Sequence, residues 1–113
     1  MTQVMNVRTV SEQLHVDAAA VPGGRAALTL APGAGAPLKQ TLLALRAGQA
    51  LADHTAPGAA TLLVVIGEVT LSGLSGDLLL REGDWTPVPD EVHHLVADDD
   101  SVVLLTVAAA PAT

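Results

Sequence analysis

Residues 48–67, GQALADHTAPGAATLLVVIG, contain the strongest indications of the fold. His54 lies near the start of this stretch, Pro57-Gly58 predicts a turn, and an unbroken aliphatic run over residues 62–66 ends at Gly67. A strand that is apolar at nearly every position is buried on both faces, whereas a half-exposed strand alternates. The run therefore predicts a strand with cover on both sides, and residues 102–107 (VVLLTV) repeat this pattern.

A second stretch, residues 83–98 (GDWTPVPDEVHHLVAD), continues a rhythm of short strands and turns. The predicted strands are residues 26–31, 40–46, 50–55, 61–72 with a break at Gly67, 78–81, 85–88, 92–97 and 101–109. Turn signals about every eight to twelve residues indicate an all-β sandwich or barrel. Residues 1–25 show no strong helical pattern and are predicted to form an irregular N-terminal arm of a single domain, 1–113.

The charge and composition exclude several classes of partner. The 113 residues have a net charge of −7, and the five basic residues are scattered, which disfavours nucleic acid and anionic membranes. The chain has no cysteine, so it can form neither a disulfide nor a thiolate metal site. It also lacks a membrane-length apolar run and an apolar signal region near Met1. The sequence predicts a cytoplasmic protein.

Glycines, histidines and a proline recur at fixed distances in the two stretches. They are Gly48, His54 and Gly67 in the first stretch, and Gly83, Pro89 and His94 in the second. This spacing resembles the two motifs of the cupin superfamily, and over residues 42–107 the chain looks like a small cupin-2-like conserved-barrel protein. The resemblance implies an all-β fold, namely the double-stranded β-helix, or jelly-roll barrel.

The metal-ligand pattern of the family is degenerate here. Metal-binding cupins use two histidines and a glutamate from the first motif and a histidine from the second. Ala56 stands at the second histidine place and Ala60 at the glutamate place, so the resemblance leaves only His54 and His94 as metal ligands. A divalent transition metal (zinc, iron, manganese or nickel) is a possible cofactor, although such metals usually take three or four protein donors.

Strand alternation predicts how the candidate site is lined. If His54 and His94 point into the barrel, aliphatic side chains two residues away on the same strands do so as well, and the adjacent His93 points to the other face. The predicted ligand-binding residues are His54, Ala56, Leu62, Val64, His94 and Val96. The run of aspartates at residues 98–100 is predicted to be a solvated hairpin turn.

Three functions remain open from the sequence. The first is a barrel that binds a small molecule in an apolar cavity, without catalysis. The second is a metal-dependent cupin enzyme, similar to a dioxygenase or an isomerase, that uses His54 and His94. The third is a structural or interaction role. No catalytic residue is assigned, and whether the chain is an enzyme stays open. A homodimer is predicted, because the strands buried on both faces need cover from a second subunit or from an N-terminal strand.

Overall fold

The computed structural model describes residues 4–31, 37–54, 59–88 and 93–108, and these residues form two antiparallel sheets and one helix. The elements are α1 (Val7–Ala19), β1 (Arg25–Ala31), β2 (Leu38–Leu45), β3 (Ala50–His54), β4 (Ala60–Ile66), β5 (Glu68–Gly73), β6 (Gly76–Arg81), β7 (Trp85–Pro87), β8 (His93–Ala97) and β9 (Ser101–Ala108). The five-stranded sheet has the order β1-β2-β9-β4-β7, and the four-stranded sheet has the order β3-β8-β5-β6. The all-β jelly-roll prediction is confirmed.

The main core lies between the two sheets. It combines Leu62 and Val64 of β4 with Leu71 of β5 and Leu95 of β8, all of them buried. Each of these strands sends alternate aliphatic side chains inward, and burying one leucine or valine contributes about 1.5–3 kcal/mol. The chain passes from one sheet to the other at Gly67, between β4 and β5.

The outer face of the five-stranded sheet is covered by α1. Leu14 and Ala18 of the helix pack with Leu42, Ala44 and Val102 of the sheet in a second buried cluster. This layer explains why the aliphatic runs in β4 and β9 do not alternate: one set of side chains faces the other sheet and the next set faces the helix. The predicted cover on both faces is therefore present, and a helix within the chain supplies part of it. The homodimer itself stays a prediction.

The expectation of an irregular N-terminal arm without a helix is wrong. The Asn6 side chain caps α1 by accepting a hydrogen bond from the Thr9 amide at 2.9 Å. Ser11, Leu14 and Ala18 recur at helical spacing and form the buried face. The helix contains three valines and one threonine, which are weak helix formers. Helix propensity alone therefore does not indicate a helix here. Packing against the sheet stabilises the helix despite its sequence.

The helix is also linked to the turn between β6 and β7. Arg8 donates to Glu12 within the helix at 3.2 Å and to Glu82 of that turn at 2.7 Å. The hydrogen bonds to Glu12 and Glu82 raise the pKa of the Arg8 guanidinium. All three side chains are exposed, so this link orients the helix more than it stabilises the fold. Within the described residues, no helix is long and apolar enough to cross a membrane.

Candidate functional site

The two ends of the barrel differ in the residues that close them. At one end, a row across the four-stranded sheet pairs His54 with His93, His93 with Gly73, and Gly73 with Gly76. We call these four positions the histidine end. At the opposite end lie Gly67, Glu68 and residues 98–101, which we call the acidic end.

His93 points into the barrel. Its side chain is 4 % exposed, and it shares a face of β8 with the buried Leu95 and Ala97. It lies on the wall of a cavity between the sheets that is otherwise lined by leucines and valines, among them Leu62 and Leu105. Among the described residues that line this cavity, His93 is the one ionisable side chain.

His94 and Val96 lie on the other face of β8, so the predicted orientation of the two adjacent histidines is wrong. Both are half-buried, and they pair with Ser72 and Thr70 of β5. The motif spacing selected His94, whereas the strand alternates around Leu95. The sequence does contain a signal for this orientation. His94, Val96 and Asp98 are two residues apart, and strand alternation therefore predicts that they share one face. A carboxylate such as that of Asp98 is rarely buried without a partner, so this face is expected to be the outer one.

The other predicted site residues fall into three groups. Leu62 lines the interior cavity, as expected of a ligand-binding residue. Val64 is buried between the sheets as a core residue. Ala56 and the side chain of His54 lie outside the described residues, although the β3–β8 register places His54 opposite His93. Whether any of these residues binds a ligand stays a prediction.

The interior cavity is small. Its volume is about 20 Å³, which is room for about one water molecule. A second cavity of about 60 Å³ lies under the β5–β6 hairpin, and its wall includes Ser75, Gly76 and Leu78. Both cavities have Leu71 and His93 in their walls. His93 therefore lies where an apolar interior meets a more polar space beneath the hairpin.

The described residues do not fit a complete set of metal ligands. They contain no group of three or more histidine, cysteine, aspartate or glutamate side chains placed to hold one ion. A transition-metal site usually takes three or four protein donors. Within the described part of the barrel, no carboxylates from other positions replace the metal ligands that the degenerate motif lacks.

At the acidic end, hydrogen bonds that the sequence does not predict join the 98–101 turn to β5 and to Ala47. Ser101 is 1 % exposed; its Oγ accepts from the Glu68 amide at 3.0 Å and donates to the Asp99 carbonyl oxygen at 2.7 Å. The Asp100 carboxylate accepts from the Ala47 amide at 2.8 Å. Asp98 and Asp99 are exposed, as the predicted solvated turn requires. The hydrogen bond between the Glu68 amide and Ser101, at the end of this turn, also joins β5 to β9.

Gly67 allows this close approach at the acidic end. Its φ of +89° is a conformation that favours glycine, and a Cβ there would collide with the Asp100 carbonyl oxygen and with Ser101. Gly48 has a similar φ of +87°, but a Cβ there would meet nothing within 4 Å. The two glycines therefore share a backbone requirement and differ in the space around them.

Comparison with solved structures identifies relatives of this architecture. A conserved protein of unknown function from Streptococcus pyogenes is 25% identical, with a TM-score of 0.69 over 78% of this chain and 76% of that one. An RmlC-like cupin from Shewanella frigidimarina is 23% identical, with a TM-score of 0.67 over 80% of each chain. A salicylate 1,2-dioxygenase from Pseudaminobacter salicylatoxidans is 19% identical, with a TM-score of 0.71 over 88% of this chain and 33% of that one. Neither a protein-family model nor a curated protein matches the sequence.

Proposed function

Starting from the cupin fold of this chain, we propose that the barrel binds a small and mostly apolar molecule at its histidine end, with His93 as the polar anchor. One observation carries this proposal: His93 is a buried imidazole on the wall of an otherwise aliphatic cavity. Binding sites of this kind combine apolar walls with a few polar groups that fix the orientation of the ligand. His93 takes the role that the motif spacing had given to His94.

Burial makes His93 a selective anchor. An imidazole can donate and accept hydrogen bonds, and in an apolar environment such bonds are not weakened by competing water. The leucines around it offer contact area to a short alkyl portion of a ligand but no further polar groups. The arrangement therefore suits a molecule with one hydrogen-bonding group and an apolar remainder.

The neighbouring histidines provide a matched test. A library of small fragments would be screened by thermal shift against the wild-type protein, because a ligand that binds the native state raises its melting temperature. For each fragment found, we expect His93→Ala to weaken binding about tenfold, since a buried hydrogen bond contributes about 1–2 kcal/mol. His94→Ala, on the other face of the same strand, should leave the dissociation constant within about twofold.

Two results would contradict this function. One is that every fragment binds His93→Ala as tightly as it binds the wild type, with both variants folded by circular dichroism. The other is that His94→Ala, and not His93→Ala, loses binding. In the second case, the ligand would bind on the outer face of the four-stranded sheet.

A metal-dependent cupin enzyme is the second candidate, and the β3–β8 register favours it. The backbone register pairs His54 directly with His93 across these two strands. Two imidazoles would supply part of a metal-ligand set, and water or a bound ligand would have to supply the rest. This candidate ranks second because the described residues offer no group of three donors.

Elemental analysis separates the two candidates. The metal-dependent enzyme predicts about one transition-metal ion per chain, retained in His94→Ala and lost in His93→Ala, because a donor set this small has no replacement for one ligand. Protein purified without chelators and exposed to zinc, iron, manganese and nickel in turn would be measured. A wild-type chain that retains none of these metals would remove the second candidate and leave the first.

A further inference from the structure

His93 lies in the walls of two cavities, the interior cavity and the cavity under the β5–β6 hairpin. We propose that the cavity under the β5–β6 hairpin is the entrance by which a small ligand reaches His93, and that it holds the polar head of that ligand. This inference rests on the proposed binding function. It adds the side from which the ligand enters, the size of the ligand and its orientation in the site. The hairpin is formed by β5 and β6 with Leu74 and Ser75 at its turn.

The glycines of the histidine end make this entrance. Gly73 and Gly76 pair with each other across the hairpin, and Gly73 also pairs with His93. These two positions place no side chain between the hairpin and the imidazole. A Cβ at Gly76 would meet nothing within 4 Å, so there is open space beside it. Two of the four positions in the last row of the sheet thus have no side chain, and one of them, Gly73, pairs with the buried histidine.

The two cavities differ in polarity, which orients a ligand. The interior cavity is lined by aliphatic side chains apart from His93. The hairpin cavity also contains Ser72 and Ser75 in its wall, together with the backbone of the two glycines. A ligand that spans both would place its apolar part among the leucines and its polar head beneath the hairpin, with His93 between them.

The volumes limit the size of the ligand. The interior cavity is about 20 Å³ and the hairpin cavity about 60 Å³, and both are smaller than the cavity of about 150 Å³ that holds a benzene ring. The ligand class is therefore a short aliphatic compound with one polar group, such as a short-chain carboxylate or amide. Propionate and propionamide are suitable probes, and hexanoate is the matched compound that is too long.

A single cysteine tests the entrance without any ligand. The chain contains no cysteine, so His93→Cys and His94→Cys each introduce one thiol. Methyl methanethiosulfonate is a small uncharged reagent that transfers one methylthio group to a thiol and releases methanesulfinate. The inner thiol of His93→Cys should react faster than the protein unfolds, and the outer thiol of His94→Cys should react faster still. A His93→Cys thiol that reacts only at the unfolding rate would overturn the proposed entrance.

Two neighbouring turn residues provide the blocking variant and its control. Ser75 lines the hairpin cavity, whereas Leu74 beside it is 88 % exposed. In the His93→Cys background, Ser75→Trp should slow labelling about tenfold or more, and Leu74→Trp should leave the rate within about twofold. Neither should alter labelling of His94→Cys. Equal effects of the two tryptophans on the His93→Cys thiol would overturn the entrance.

The probes then test the ligand class. Propionate, propionamide or both should bind the wild-type chain and shift the amide resonances of Gly73, Ser75 and Gly76, and Ser75→Trp should abolish these shifts. Hexanoate should produce none. Probe binding that depends on His93 but is unchanged by Ser75→Trp would overturn this inference and leave the proposed function intact. If hexanoate binds as the shorter acid does, the size limit is wrong. If neither short probe binds and no fragment depends on His93, both proposals are wrong.

Discussion

The acidic end and the histidine end close the same barrel by opposite means. At the acidic end, backbone and side-chain hydrogen bonds join the strands, and Gly67 lets the chain pass against Ser101 without a gap. At the histidine end, the last row of the four-stranded sheet contains two histidines and two glycines, and Leu71 nearby lies in the walls of two cavities. One end uses glycine for close contact, and the other uses it to leave space.

This difference shows where a barrel of this size can accommodate a site. Space inside a packed core lowers stability, because the cavity lining loses contacts. A barrel that opens at one end can offset that loss by joining its strands more firmly at the other. The contrast predicts that substitutions at the acidic end change folding, whereas substitutions at the histidine end change binding.

The largest effect on stability is expected for Gly67→Ala. A left-handed conformation costs an alanine about 1–2 kcal/mol, and forcing a methyl group against the backbone of Asp100 adds about 1–3 kcal/mol. The control is Gly48→Ala, which has nearly the same φ but free space, and it should cost only the first of these amounts. Denaturant unfolding of both variants measures the difference. Equal losses would mean that close contact at Gly67 does not stabilise the acidic end.

A smaller effect is expected for Ser101→Ala. This change leaves the Glu68 amide without its acceptor and should lower the free energy of unfolding by about 1–3 kcal/mol. Ser11 of α1 is the matched control, because it is as deeply buried but its hydroxyl has no hydrogen-bond partner within the described part of the protein. Ser11→Ala should change the free energy by less than about 0.5 kcal/mol or raise it slightly. Similar losses in the two variants would contradict a specific role for the Ser101 hydrogen bonds.

The smallest effect on stability is expected at the histidine end. Ser75 and Leu74 are exposed residues of a hairpin turn, so Ser75→Trp and Leu74→Trp should each change the free energy of unfolding by less than about 0.5 kcal/mol. Equilibrium unfolding of the two variants checks this directly. A loss comparable to that of Gly67→Ala would mean that both ends are equally important for folding, and the contrast between them would be wrong.

The sequence predicted the architecture well because aliphatic runs and turn residues are local signals. The run at residues 62–66, the break at Gly67 and the strand rhythm beyond it all correspond to observed elements. The helix α1 was missed because its cover of the sheet is a tertiary effect that overrides weak intrinsic propensity.

The candidate site was harder to predict than the fold. A shift of one residue moves a side chain to the other face of a strand, so His93 and His94 exchange roles if the strand is placed one residue out of step. Motif spacing across a turn does not determine which alternate side chains of β8 face the interior. The burial of Leu95 and Ala97 does determine it, and His93 lies on their face. The hairpin cavity was not predictable, because it depends on which strands become neighbours in the folded sheet.

Nuclear Overhauser spectroscopy of the imidazole protons can show which of the two adjacent histidines faces the barrel interior. We expect contacts from the His93 ring to methyl groups of the leucines that line the interior cavity, such as Leu71, and none from the His94 ring to those methyls. Contacts from His94 to these methyls, with His93 showing none, would overturn the inward orientation of His93 and place the site on the face of β8 that the motif spacing indicates.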